Sequence, residues 1–431
     1  MHLFKIVAAV AALASGTEAA VRQLPKPASC SGVANFRYQY KLESGWSAMK
    51  IAGGLKQVRT IVWDTEGNML VSQNTRGISV HTFGDNGCIN STTMLISGNQ
   101  INHGLSITPD GKTLYASSET TLWSWAYDPL TRKISNQKTI VRGMSTGIHS
   151  SRTVAVVPQQ PNLVLLQVGS NSNFDMASQQ PGTGRAIIKI FDASKAPSNG
   201  FNYNTEGEVS RTLPELKMGS AAIFTSITRP RSSITVSHVV TYRTHPCSLT
   251  NMVAVGDPLT VRNAWYGYPT CFSVWNPANF PNSNLKTGSH FVVSPNSSYN
   301  DATCNGRAVP PRLTFQAHSA PIANTFDSDA KNMYVTFHGS WNRQPATGFK
   351  VVQIPFTKLA NGTYEPVAPA DSMTGYKDIF SAPNPGSCTA NGLTMSNCFR
   401  LTAAAWDPAG RGLFVGSDNS AEGEIYVLTP N

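Results

Sequence analysis

The chain has 431 residues, 34 lysines and arginines against 24 acidic residues, a formal net charge of +10, and only 13% charged residues. With 34 glycines and 27 prolines this composition argues against a mostly helical chain and predicts a turn-rich β protein of one large or two to three ordinary domains. The positive charge comes without a run of lysines or arginines, which argues against nucleic acid and leaves two readings, a solvated basic surface or a local basic pocket for an anionic ligand.

Residues 1–20 are predicted to be a signal peptide. Lys5 gives the positive start, Ile6 to Ala14 a short apolar run, and Thr17-Glu18-Ala19 or Glu18-Ala19-Ala20 a small-residue cleavage site. The run is too short to span a bilayer and no later stretch qualifies, so the mature protein is expected to be secreted, extracellular and soluble. Sequons at Asn90, Asn296 and Asn361 agree with a glycoprotein. Seven cysteines in an oxidising compartment predict disulfides. Cys388 and Cys398 flank a polar loop, Cys271 and Cys304 bracket another, and Cys30 and Cys88 can tie the N-terminus to the first repeat, which leaves Cys247 over.

A weak repeat then runs through the chain: an apolar strand, an Asp or Pro turn with Gly, and a second apolar strand. Copies lie at Ile61 to Ser72, Ile107 to Ser117, Val154 to Gly169, Phe326 to Phe337 and Ala405 to Val415. Asp-Gly and Asp-Pro-x-Gly suit such turns, because Gly accepts positive φ and Asp hydrogen-bonds its own backbone. The first two copies are spaced about 45 residues apart, the size of a four-stranded propeller blade. The expectation is therefore an all-β fold, a β-propeller of five to seven blades with six the expected number. A pair of β-sandwiches does not need this periodic unit. Residues 21–431 are expected to form this single domain. The repeat fails only at residues 222–260, where a blade is due and where Cys247 lies.

Loops that lead into a blade's first strand converge on the propeller axis. His103, in Ile101-Asn102-His103-Gly104-Leu105, stands at such a position and can accept a substrate hydroxyl proton near neutral pH. Arg59 and Arg400 hold the equivalent place before the first and last repeats, where two guanidiniums can clamp carboxylates. Arg185, in Gly182-Thr183-Gly184-Arg185, is a further candidate. His338 and Trp341 follow the fourth repeat in Phe337-His338-Gly339-Ser340-Trp341-Asn342-Arg343, a mixture that core packing does not require. Trp341 can stack on a flat ring and His338 can donate a hydrogen bond. No Gly-x-Ser-x-Gly, His-Glu-x-x-His or Cys-x-x-Cys is present, and the aspartates of the repeat turns read as structural.

Together these segments resemble the fungal pyrroloquinoline quinone-dependent sugar (pyranose) dehydrogenases, related to L-sorbosone dehydrogenase and bacterial soluble glucose dehydrogenase. The resemblance runs from about Cys30 to Leu428 and is strongest at 58–72, 101–118, 265–275, 312–348 and 399–428. It implies a six-bladed propeller that binds the quinone and calcium over its axis and oxidises a sugar hydroxyl by two electrons. It also implies His103 as general base, Arg59, His338 and Arg400 at the cofactor, and an external electron acceptor such as a haem protein, a copper enzyme or a quinone. One departure accompanies it. The family's Arg-Asn pair near residues 220–230 and the Glu-Asn segment that follows are not recognisable, so the calcium ligands stay unassigned. Either a genuinely decayed blade or an error in the gene reading, such as a retained intron or frame slip, explains this. Two other functions compete: a calcium-dependent propeller lactonase, which needs inward carboxylates where this chain has His and Arg, and a decayed binding propeller.

Overall fold

The computed structural model describes residues 30–158, 160–172, 174–209, 227–228, 234–240, 247–255, 266–360, 364–391 and 395–431. The repeated turn is what organises it. Asp64 Oδ1 accepts from the backbone N–H of Glu66 at 2.9 Å and of Asn68 at 2.8 Å. Asp327 Oδ1 does the same for Lys331 at 2.8 Å and Asn332 at 3.2 Å, and Asp407 Oδ1 for Gly412 at 2.9 Å. The side chain thus satisfies backbone donors that the tight turn between the two strands leaves over. Gly67 and Gly410 close two of these turns at φ 73° and 69°, whereas the fourth copy has Ala330 at φ 54°. A non-glycine residue in this left-handed region is strained. Ala330→Gly is therefore expected to raise stability by about 0.5–1 kcal/mol in a denaturant titration; a lowered midpoint would contradict this reading.

On either side of these turns the strands pair as antiparallel meanders. Five blades are complete among the described residues. The first is Val58–Trp63, Met69–Gln73, Gly77–Phe83 and Ile89–Ser97. The second is Leu105–Ile107, Thr113–Ser117, Leu122–Asp128 and Lys133–Arg142, with Phe201–Asn202 added in parallel at its edge. The third is Arg152–Val157, Gln160–Val168, Ile187–Asp192 and Glu208–Val209. A later blade joins Pro321–Phe326, Asn332–Phe337, Lys350–Lys358 and Lys377–Ser381, with Lys41–Leu42 at its edge. The last joins Leu401–Trp406, Leu413–Ser417, Gly423–Pro430 and, as its outermost strand, the N-terminal Trp46–Leu55. This is a β-propeller. The expected count of six is met by five complete blades; of the interval in which a further blade was expected, residues 222–260, only 227–228, 234–240 and 247–255 are described, and its sequence lacks the repeat unit seen in the others.

Neighbouring blades meet through their first strands. Pro321–Phe326 packs on Leu401–Trp406, that strand on Val58–Trp63, that on Leu105–Ile107, and that on Arg152–Val157. Between the sheets lie buried aliphatic and aromatic clusters, such as Leu70, Ile78, Val80, Leu114 and Trp125 between the first two blades. Pairing the N-terminal Trp46–Leu55 with the last strand, Gly423–Pro430, closes the ring between the two ends of the chain. Lys50, its side chain 3% exposed, anchors that seam by reaching Glu424 at 2.5 Å and Glu422 at 2.9 Å. A one-residue slip would turn Lys50 away from both carboxylates, so the pair fixes register.

All three expected disulfides are formed: Cys30–Cys88, Cys271–Cys304 and Cys388–Cys398. Among the described residues no helix is long and apolar enough to cross a membrane. The proposed signal peptide and Asn361 lie outside the described residues. Asn90 and Asn296 are exposed.

Candidate active site

The antiparallel register puts two kinds of position side by side at one face of the ring: the residue that leads into a blade's first strand and the residue that leaves its second. Leu401 pairs with Ser417, so Arg400 and Asp418 are neighbours, and Asp418 N–H donates to Arg400 O at 2.9 Å. Pro321 pairs with Phe337, so His338 leaves its strand beside Ala320, whose carbonyl accepts from His338 N–H at 2.8 Å. Arg59 and His103 arrive at the same face by the same logic, at the start of Val58–Trp63 and just before Leu105–Ile107. Below them a cavity of about 300 Å³ runs between the first strands of the five blades, with Arg59 and His103 at one end and Trp63 and Trp406 in its lining.

Local sequence explains why His103 stands where it does. Its carbonyl accepts from Thr60 Oγ1 at 2.8 Å and Ser72 Oγ at 2.9 Å, which ties it to the neighbouring blade. Gly104 then passes so close to the next blade that a Cβ there would sit 2.4 Å from Arg152 O. Only glycine fits, which accounts for the His-Gly pair.

A buried carboxylate joins the candidates. Asp418 is fully buried, and its two oxygens take different partners. Oδ2 accepts from Arg59 Nη1, and Oδ1 accepts from His338 Nε2 at 2.7 Å. Arg59 also donates from Nη2 to Ser151 Oγ at 3.0 Å and from Nε to His103 Nδ1 at 3.2 Å. His338, Asp418, Arg59 and His103 therefore form one continuous chain. Burial works to raise the Asp418 carboxyl, but His338 and Arg59 outweigh it and hold it below the usual carboxylate range. His338 is pushed down to about 4, chiefly by burial, with Arg400 adding to the effect. It is thus a neutral imidazole that donates Nε2–H to a carboxylate. His103 is held well below the ordinary imidazole range by burial first and by Arg59 and Arg152, against the pull of Asp418.

Arg400 is 1% exposed and turns into the wall, where Nη1 donates to Gly339 O at 3.1 Å over the Phe349 ring. It supports the Gly339–Ser340 turn that follows His338. Trp341 is 42% exposed, next to that turn. Arg185 is placed apart from the Asp418 chain, in an ion pair with buried Asp175 at 3.2 Å.

Two contributors were not singled out from the sequence. Asp418 is one, although it leaves the second strand of its blade as His338 leaves its own, a shared offset that marks it. Arg152 is the other. It is 1% exposed, its Nε donates to Glu119 O at 2.9 Å and its Nη1 to His149 O at 2.8 Å, so it shapes the loop that carries Ser151. Burial brings its guanidinium down to about 10.

Fold and site together define a β-propeller with a cationic, histidine-bearing pocket over its axis. The chain belongs to the TrAA12-like family, which it matches over residues 40–431. It is 36% identical over 413 residues to the pyrroloquinoline quinone-dependent pyranose dehydrogenase of Coprinopsis cinerea, an alignment that takes in 93% of this chain and 56% of that protein. The chain thus spans little more than half the length of that relative. Among solved structures it is similar to the holo form of the pyranose dehydrogenase PQQ domain from Coprinopsis cinerea, at a TM-score of 0.84 and 34% identity, covering 93% of this chain and 99% of that one. It is also similar to the calcium structure of the Trichoderma reesei carbohydrate-active enzyme of family AA12, at a TM-score of 0.80 and 28% identity, covering 92% and 99%.

Proposed function

We propose that this chain is a secreted pyrroloquinoline quinone- and calcium-dependent oxidoreductase that oxidises a pyranose or related sugar at a hydroxyl and passes the electrons to an external acceptor. The observation that carries this reading is the meeting of Arg59 and His103 at the cavity, in a chain of the TrAA12-like family. The similarity to a PQQ domain over nearly its whole length supports the cofactor, and the calcium structure of the Trichoderma reesei relative supports the metal.

The donor set fits a quinone that bears several carboxylates. Two guanidiniums bear on one buried carboxylate, Asp418: Arg59 pairs with it directly and Arg400, turned into the wall, acts on it through its charge, so the pocket keeps a net positive charge. A guanidinium has five N–H donors; Arg59 commits one each to Asp418, Ser151 and His103 among the described residues, and the others suit a ligand carboxylate. When bound, the quinone supplies the two-electron acceptor that no side chain here can provide. Arg59 binds and orients its carboxylates, His338 and Arg400 hold the adjoining wall, and Trp341 stacks at the rim. Arg185 is a further cofactor contact from the third blade. His103 takes the proton from the sugar hydroxyl. The lactonase alternative would need carboxylates where Arg59 and His103 stand.

Residues 1–20 are the signal peptide and residues 21–431 one six-bladed catalytic propeller in this reading. The pairing of Ile227–Thr228, Ile234–Val240, Cys247–Val255 and Leu313–Phe315 supports the sixth blade, since it packs on Pro321–Phe326. The protein acts as a monomer, with a haem protein, copper enzyme or quinone as acceptor.

The test is steady-state oxidation of aldoses by the purified chain with an artificial acceptor. Activity is expected only when quinone and calcium are both added. Quinone-independent sugar oxidation, or none under any condition, would contradict the proposal.

A further inference from the structure

The contact between Arg59 and His103 has to be undone before His103 can work as a base. Arg59 Nε–H points at His103 Nδ1 across 3.2 Å. Guanidinium only donates, so Nδ1 is the accepting nitrogen. A neutral imidazole has one N–H and one lone pair, which puts the proton of His103 on Nε2. Its single lone pair is therefore covered by a cation. Neither partner is loosely held. The head of Arg59 is fixed by Asp418 and by Ser151 Oγ at 3.0 Å, and the backbone of His103 by Thr60 and Ser72 at 2.8 and 2.9 Å.

We propose that Arg59 is a latch on His103: its Nε–H caps the only lone pair of the imidazole, and an anionic ligand that draws the guanidinium onto its own carboxylates uncaps the ring. The inference rests on the reading of His103 as the base. In the transfer the substrate O–H bond breaks and an N–H bond forms on the uncapped nitrogen, which leaves an imidazolium. A capped ring has no site for that proton. Arg59 then has two tasks, holding the anion and releasing the base, so the base becomes competent only with the ligand in place. Arg59 acts here as a positioning residue, through His103.

The latch is tested by side-chain heteronuclear correlation spectra of protein carrying nitrogen-isotope-labelled histidine, with the His103 signals assigned by their loss in His103→Gln. Without added quinone, wild type is expected to show Nε2 protonated and Nδ1 unprotonated, with Nδ1 displaced by a hydrogen bond. In Arg59→Met the Nδ1 signal is expected to shift to the position of an unbonded lone pair or to average with the other tautomer. Pyrroloquinoline quinone added to wild type should shift it the same way. A proton on Nδ1 in wild type overturns the latch, as does an Arg59→Met spectrum identical to wild type. Should that variant not fold, Asp418→Asn, which loosens the head of Arg59, is expected to give the same shift in part, and no shift overturns the proposal. Quinone binding that leaves His103 unchanged overturns the latch while the proposed function stands. Failure of the quinone to bind counts against the proposed function, and the cap is still decided by the spectra without quinone.

Discussion

Asp418→Ala is expected to lower stability by about 3–5 kcal/mol, the usual cost of removing one partner from a buried charge pair. The carboxylate is fully buried, while the Arg59 side chain is only 12% exposed, so little water reaches the cation left behind. His338 Nε2–H would lose its acceptor at the same time. Asp418→Asn keeps the volume but exchanges an acceptor-only group for one that also donates, and both facing groups are donors. It should therefore fall between wild type and Asp418→Ala. Denaturant midpoints at neutral pH measure this. A loss below about 1 kcal/mol for Asp418→Ala would show that Asp418 anchors neither neighbour, since a loss that small is what an exposed pair gives.

The second large effect is on catalysis. His103→Gln should lower kcat by about 10²–10⁴-fold, the range for loss of a positioned general base. Gln is close in size, and its side-chain oxygen can accept from Arg59 Nε–H as Nδ1 does, so quinone affinity and fold are expected to stay near wild type. The contrast matters, because loss of binding together with turnover would describe a damaged pocket and not a missing base. Burial, Arg59 and Arg152 keep His103 far below the ordinary imidazole range, so the neutral form dominates at neutral pH and above. Turnover of wild type is accordingly expected to persist as pH rises past neutrality. A His103→Gln kcat within tenfold of wild type would remove His103 from the mechanism.

Much of the fold was legible because one local device repeats. Asp64, Asp327 and Asp407 each hold a strand–turn–strand unit together by side-chain-to-backbone bonds, and such units are written in consecutive residues. Two of the cysteine pairs were legible for a similar reason, since Cys388–Cys398 and Cys271–Cys304 each bracket a polar loop, 10 and 33 residues apart; Cys30–Cys88 spans 58 residues and ties the N-terminus to the first repeat. Arg59, His103 and Arg400 could be found because each stands at, or just before, the start of a first strand. What joins them could not. The bonds of Asp418 to Arg59 and His338 span 359 and 80 residues, and nothing local to Asp418 announces either partner. The same holds for Lys50 and Glu422, which are 372 residues apart and meet only because the ring closes. Arg400 was expected as a clamp facing a ligand, yet it points into the wall at Gly339, because Phe349 and the turn carbonyls offer its charge a buried seat. Position in a repeat tells which face a residue reaches but not which way its side chain turns.

The proposed function depends above all on the Arg59–His103 pocket being a quinone site. It is tested most directly by titrating the purified chain with pyrroloquinoline quinone in the presence of calcium and following the quinone absorbance. Saturable binding of one quinone per chain is expected, weakened at least tenfold by Arg59→Met. Absence of saturable binding to the folded wild-type protein, or affinity that is indifferent to Arg59, would contradict it.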